Sequence, residues 1–284
     1  MNIPDLSQYS EDTVKLVKSL SYMSDRFMSI AFQDHEVQHH IIRTVLNDPD
    51  IDLKDTVTQS RFNNILGREI TFDSMSRDTN GDVYNVEVEN RVERGGLERV
   101  TYHTSALDTQ SVHKGITDFR KFPKANGIMF VLGDALHNGK QKSVFEIRDA
   151  DNPQEQVETS RLKYVIVNVQ KCGGNDPLSQ LCRDLQQSDY RNISNEHLAE
   201  RMKEIKEGME VEQMCRLEEE YGNRRYEKGI TDGKAEGDEN RSRKVTVKLL
   251  KMNWTLEQIS DFVERSIEEV ESWAVESSLP YRRS

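Results

Sequence analysis

The chain has 284 residues, with a hydrophobic fraction of 35%, a charged fraction of 31% and only 6 prolines. That is enough for one large domain or two smaller ones, and the balance excludes collagen-like, mucin-like and proline-rich disordered chains. The formal net charge of −11 means that any contact with nucleic acid must rest on a local basic surface or on bound metal.

In chain order, Asp12 to Leu20 carries Val14, Val17 and Leu20 at helical spacing, and His35 to Leu46 carries Val37, Ile41, Ile42 and Val45. Asn47-Asp48-Pro49-Asp50 ends the second helix, because proline cannot continue it and Asn and Asp favour turns. From Ile70 the period changes to two: Ile70 and Phe72, then Tyr84, Val86 and Val88, alternate with polar residues, which predicts two half-buried strands. A turn signal, Asp78-Thr79-Asn80-Gly81-Asp82, joins them. A two-residue turn would set Phe72 against Glu89, whereas a three-residue loop with Gly81 left-handed pairs Asp78 with Asp82, Phe72 with Val88 and Asp73 with Glu87. The apolar pattern selects the three-residue loop.

After a break at Arg94-Gly95-Gly96, a helix is expected from about Leu97 to Leu107, then strands at Gly127–Leu132, Ser143–Ile147 and Leu162–Val169. This order predicts a mixed α/β (α+β) core ending near residue 175. Glu196 to Glu220 is a charged helical pattern with Leu198, Met202, Ile205 and Met209 as its apolar stripe. Gly229, Gly233 and Gly237 then recur in a highly charged stretch, a weak helix or a linker. Thr255–Gln258 and Ser266–Glu269 match capping boxes, so two short amphipathic helices close the chain.

The hairpin would gather three carboxylates on one face: Asp73 on its first strand, Glu87 and Glu89 on its second. Residues two apart on a strand lie about 7 Å apart on one side, and directly opposed residues about 4.5–5.5 Å. Three like charges so close raise at least one pKa unless a cation joins them, and Mg²⁺ favours carboxylate and water oxygens. A solvated outer strand face is the plainer explanation of the same pattern.

The strings Ile70-Thr71-Phe72-Asp73, Asn80-Gly81 and Tyr84-Asn85-Val86-Glu87-Val88-Glu89 resemble the core of the PD-(D/E)XK nuclease superfamily, and more narrowly its nuclease family transposases, also called recombination-promoting nucleases. In that family a strand-borne Asp precedes a Tyr-Asn-Ile-Glu-x-Gln string and a helix bearing Arg-x-x-Tyr, matched here by Arg99 and Tyr102 with Asp108 at the end. Gly115, Asp118, Pro123, Asp134 and, upstream, Asp25 and Phe32 also fit, so the resemblance spans roughly residues 20 to 275. Glu89 stands where the superfamily mostly has Lys and this family often Gln, and Met28-Ser29 replaces an expected Phe-Lys pair.

The resemblance implies a restriction-endonuclease-like core over 1–190, a mixed sheet flanked by helices, with a charged helical region over 191–284. It implies a DNA endonuclease with Mg²⁺ or Mn²⁺ held by Asp73 and Glu87, Glu89 as a further ligand or water-positioning group, and Asp25 near the metal. Arg99 and Tyr102 would face the site as phosphate or structural contacts. The other reading is a catalytically inactive nuclease-fold protein that binds DNA or protein; a homo-oligomer through the helical C-terminal region is a further expectation.

Other candidates are weaker. His35 and His39, four apart, would share a helix face but lack an evident third ligand. Cys172, Cys182 and Cys215 are too few and scattered for a disulfide framework or a four-ligand zinc site, which points to a reducing compartment. No phosphate-loop string followed by Lys-Ser/Thr occurs, which disfavours an NTPase. No basic-then-apolar leader opens the chain, and the run Ile128–Leu132 is far below the ~20 residues that span a bilayer, so a cytoplasmic location without membrane contact is expected. Arg241, Arg243, Lys244, Lys248 and Lys251 form the basic run that would offset the acidic background.

Overall fold

The structure is a computed structural model, and it describes residues 5–63, 69–90, 96–112, 115–155 and 161–283. The chain divides into two compact units, Met1–Glu218 and Glu219–Ser284. The first opens with helices α1 (Glu11–Ser19), α2 (Asp25–Ala31) and α3 (His35–Leu46). Ser10 and Asp34 cap α1 and α3 through their side chains, and Asn47, left-handed at φ 53°, ends α3 just before Pro49. Strands β1 (Leu53–Asn63), β2 (Glu69–Asp78) and β3 (Val83–Glu89) follow, then α4 (Gly96–Ser111), β4 (Ala125–Val131), β5 (Lys142–Glu146), β6 (Leu162–Asn168), α5 (Pro177–Gln186) and α6 (Glu196–Glu207). Arg94 and Gly95 of the expected break lie outside the described residues.

The six strands form one mixed sheet in the order β1-β2-β3-β4-β6-β5. The first three make an antiparallel meander; β4 runs parallel to β3, and β6 parallel to β4. Parallel neighbours need a crossover, and α4 supplies the one between β3 and β4. On one face of the sheet Tyr84, Val86, Val88, Ile128, Phe130, Val165 and Val167 pack in a single cluster with residues of α1, α2, α3, α5 and α6. On the other face Met129, Val131 and Ile166 pack against Val100 of α4. The first unit continues past residue 190, because Leu198, Met202, Ile205, Val211 and Met214 belong to the large cluster. Met209, expected in the apolar stripe of α6, is exposed beyond the break at Gly208.

The β2–β3 turn has the expected form. Asp78 N–H donates to the Asp82 carbonyl at 3.0 Å, Gly81 has φ 90°, and Ser74–Arg77 pair with Val86–Val83 in the register of a three-residue loop. The expected partnership of Phe72 with Val88 needs correction. Phe72 packs with Val83, Leu107 and Ala125 on the α4 face, whereas Val88 belongs to the opposite cluster. The cause is local. Gln59 of β1, between the pairs Thr58–Ser74 and Ser60–Phe72, has φ 51°, and the β2–β3 pairs stop at Ser74. In a continued ladder Val88 N–H would pair with the Phe72 carbonyl; here it donates to Asp73 Oδ2 at 3.3 Å instead. β2 therefore changes face at Asp73.

The second unit contains the rest of α7 (Glu210–Lys251), which runs as helix through the glycine-bearing stretch, and then α8 (Leu256–Val263) and α9 (Ile267–Glu276). Both capping boxes are formed, on Thr255 and Ser266. Leu249, Leu250, Leu256, Ile259, Val270, Trp273 and Ala274 make the small core of this unit, while Phe262 and Met252 are exposed. No described helix is long and apolar enough to cross a membrane.

Candidate functional site

The candidate site grows from the alternation of β3. Asn85, Glu87 and Glu89 point to the α4 face, opposite Gly127, Met129 and Val131 of β4 in the parallel register. All three are buried, Glu87 at 1% exposure and Glu89 at 5%. Two nearly inaccessible carboxylates on a central strand are costly unless paired. α4 provides the partners, since Arg99 and His103 are one helical turn apart on its sheet-facing side. A close approach makes this possible: a Cβ on Gly127 would stand 1.9 Å from Thr104 Oγ1 and 3.0 Å from Val100 Cγ2. Glycine lets α4 settle against the sheet there.

Arg99 Nε donates to Glu87 Oε2 at 3.2 Å, and its Nη1 donates to Glu89 Oε2. His103 Nδ1 meets Glu87 Oε1, which also accepts from Asn85 Nδ2 at 2.8 Å. The Phe72 ring packs edge-on to His103, centroids 5.9 Å apart. The change of face in β2 is what brings this apolar wall to the imidazole. Burial works against the charge on Arg99, yet Glu87, Glu89 and Asp73 outweigh it and leave its pKa raised.

Asp73 sits where β2 and β3 part. Burial pushes its carboxyl up to about 7, and the charge of Glu87 adds to the rise. The Val88 N–H and Arg99 pull the other way, and Asp25 contributes a further small increase. Asp73 thus feels Glu87 as a neighbouring acid, while the Arg99 guanidinium bridges Glu87 to Glu89. Asp25, the exposed first residue of α2, is tied to the end of β3 by Asn90, whose Nδ2 donates to the Met23 carbonyl at 2.7 Å and lies 3.5 Å from Asp25 Oδ1. Tyr102 is exposed on α4, its ring centroid 6.1 Å from that of His103. His103 was not singled out by sequence reasoning; its signal is its place four residues after Arg99.

Asp73 and Glu87 are the side chains that would hold a hard divalent cation here, but no three of these acids and His103 bring ligand atoms within 4.8 Å of one another, and both Glu87 oxygens are already engaged by Arg99, His103 and Asn85. Three carboxylates face one guanidinium and one imidazole, burial and then the charge of Glu87 hold Asp73 towards its neutral form, and the buried Asn85 Oδ1 has no hydrogen-bond partner. Mg²⁺ commonly uses only one or two carboxylates and keeps waters. Glu89 is committed to Arg99.

A second cluster, His35, Glu36 and His39, is the one group of three potential ligands found within 4.8 Å of one another among the described residues. Its hydrogen bonds assign it elsewhere. His35 Nε2 donates to the Leu53 carbonyl at 2.7 Å, and His39 Nε2 accepts from Leu53 N–H at 2.6 Å. A neutral imidazole has one lone pair, and His39 spends it on the backbone. The two rings clamp the start of β1.

No family model, no curated protein and no solved structure matches this chain.

Proposed function

We propose that the protein is a metal-dependent nuclease that hydrolyses phosphodiester bonds of DNA, with Asp73 and Glu87 as the metal-holding pair. One observation carries the reading: the buried Asn85, Glu87 and Glu89 of β3 have Asp73 of β2 as a neighbour at the place where antiparallel strands give way to parallel ones. The mixed sheet between helical layers agrees with the PD-(D/E)XK-like core implied by the sequence resemblance. A bound Mg²⁺ or Mn²⁺ would supply an activated water and offset charge on the scissile phosphate.

The chain's own residues set the rest. His103 and Asn85 hold one oxygen of Glu87 and so fix its orientation. Arg99, with about a quarter of its side chain exposed, is the cation at the mouth of the acidic flank and the group that would meet a DNA phosphate. With a net charge of −11, the chain needs local cations for DNA, and Lys244, Lys248 and Lys251 are exposed on α7. Arg243 pairs with Glu276.

A second reading, an inactive nuclease-fold protein that serves as a binding module, is favoured by the same guanidinium. Arg99 bridges Glu87 and Glu89 and so occupies a Glu87 oxygen that a cation would need. Plasmid nicking with Mn²⁺, joined to calorimetric titration of Mn²⁺, separates the two. The nuclease reading expects both signals in the native chain and neither in Asp73→Asn, with the variant's thermal transition retained. Absence of both in the native chain leaves the binding module.

A further inference from the structure

From Glu220 to Arg241, α7 is exposed on every side. This is unusual for a helix that contains Gly222, Gly229, Gly233 and Gly237, because glycine weakens an exposed helix and nothing within 4 Å of the chain itself uses the space these residues leave. Tyr226 and Ile230 are 72% and 42% exposed. Tyr226, Ile230, Gly233 and Gly237 are spaced by four, three and four residues, so they lie on one face: two bulky side chains, then two gaps. The charges have a matching order. Turning the segment end for end about Ile230–Thr231 sets Glu220 against Arg241, Arg225 against Glu236 and Glu227 against Lys234. No like-charged pair arises anywhere between Glu220 and Arg241 in that register. Tyr226 falls opposite Ala235, between the Gly233 and Gly237 gaps, and Ile230 lies beside its own copy. A parallel, in-register pairing would oppose every charge to itself.

We propose that Glu220–Arg241 is a self-pairing surface through which two copies of this chain associate, antiparallel, about a two-fold axis at Ile230–Thr231. A two-fold contact must be self-complementary, each residue meeting its mirror partner twice, and this segment has that property in both charge and bulk. Arg225 also stacks on Tyr221 of its own helix at 5.7 Å, and Glu220 lies 4.0 Å from Arg224.

Sedimentation equilibrium of the full chain, with a charge swap, tests this. The native chain is expected as a dimer that weakens with salt. Glu227→Lys should weaken association about ten-fold by opposing two lysines at each of two sites, and adding Lys234→Glu should restore it. Glu227 and Lys234 are two turns apart, roughly 10 Å along one helix, so the rescue can only act between copies. Circular dichroism would confirm that each variant keeps its helix. In an oxidising buffer Ile230→Cys should give a disulfide-linked dimer and Tyr226→Cys should not, since antiparallel Tyr226 positions are about 13 Å apart along the axis. A monomer at all concentrations, failure of the swap to restore association, or linkage through Tyr226→Cys would overturn the proposal. The result is independent of nuclease activity.

Discussion

Replacing Arg99 with Met keeps the length of the side chain and removes the charge that holds Glu87 and Glu89. Their side chains are 1% and 7% exposed, so neither carboxylate regains water when the guanidinium is lost. Breaking a buried ion pair by deleting one partner costs about 3–5 kcal/mol. Arg99 is itself 26% exposed, which places the cost at the lower end, about 3 kcal/mol. At about 2–4 °C per kcal/mol for a domain of this size, the first unit should melt roughly 6–12 °C lower. The variant also leaves an uncompensated acidic flank, so Mn²⁺ should bind it more tightly than the native site. At about 100 times its dissociation constant the ion contributes about 2.7 kcal/mol and should recover most of the lost melting temperature. Scanning calorimetry at pH 7.5, with and without Mn²⁺, reads both effects. An unchanged melting temperature in Arg99→Met would refute the buried bridge, and a destabilised variant that ignores Mn²⁺ would refute the claim that the flank is built for a cation.

Other perturbations follow from the same contacts. The Asp73 carboxyl is raised in the fold to about 7 from an ordinary value near 3.8, so the folded chain holds a proton there that the unfolded chain has released. Stability from this group is full below pH 3.8 and declines towards pH 7; Asp73→Asn should flatten the fall in melting temperature measured between pH 5 and 8. His39 has the opposite sign. Burial lowers its pKa from 6.5, so its contribution is present above that value and is lost as the pH falls below it. In an Asp73→Asn background, the protection factor of the Leu53 amide, with the pH dependence of the intrinsic exchange rate divided out, should fall on acidification, and His39→Ala should cost about 1–3 kcal/mol with the amide left unpaired. Gly127→Ala drives a methyl into Thr104 and should cost roughly 1–3 kcal/mol in chemical denaturation, partly recovered by Thr104→Ala.

Local signals carried much of this architecture. Asn80-Gly81 and the strand alternation defined the turn and its register, and the two Ser/Thr capping boxes marked the starts of α8 and α9. The change of face at Asp73 was not legible, because it depends on Gln59 adopting a left-handed backbone that its residue type does not suggest. β1 was missed because LKDTVTQSRFN carries polar and charged residues on both faces, as suits a strand at the edge of the sheet. α5 has a readable start, with Asp176 accepting from Ser179 N–H and Pro177 at the first helical position, but its apolar pattern is short. At the site, the strand-borne acids could be read from alternation. The family resemblance points to Arg99 as well, but its pairing with Glu87 and Glu89, and the part of His103, could not be read, because they depend on the packing of α4 on Gly127, a contact between distant parts of the chain.

The central claim, a cation held between Asp73 and Glu87, is tested most directly by a crystal of the native chain soaked in Mn²⁺ and measured at the manganese absorption edge. An anomalous peak bonded to carboxylate oxygens of both residues, with Arg99 withdrawn from Glu87, is the predicted result. Arg99 still bridging Glu87 and Glu89, with no peak beside Asp73, would contradict it.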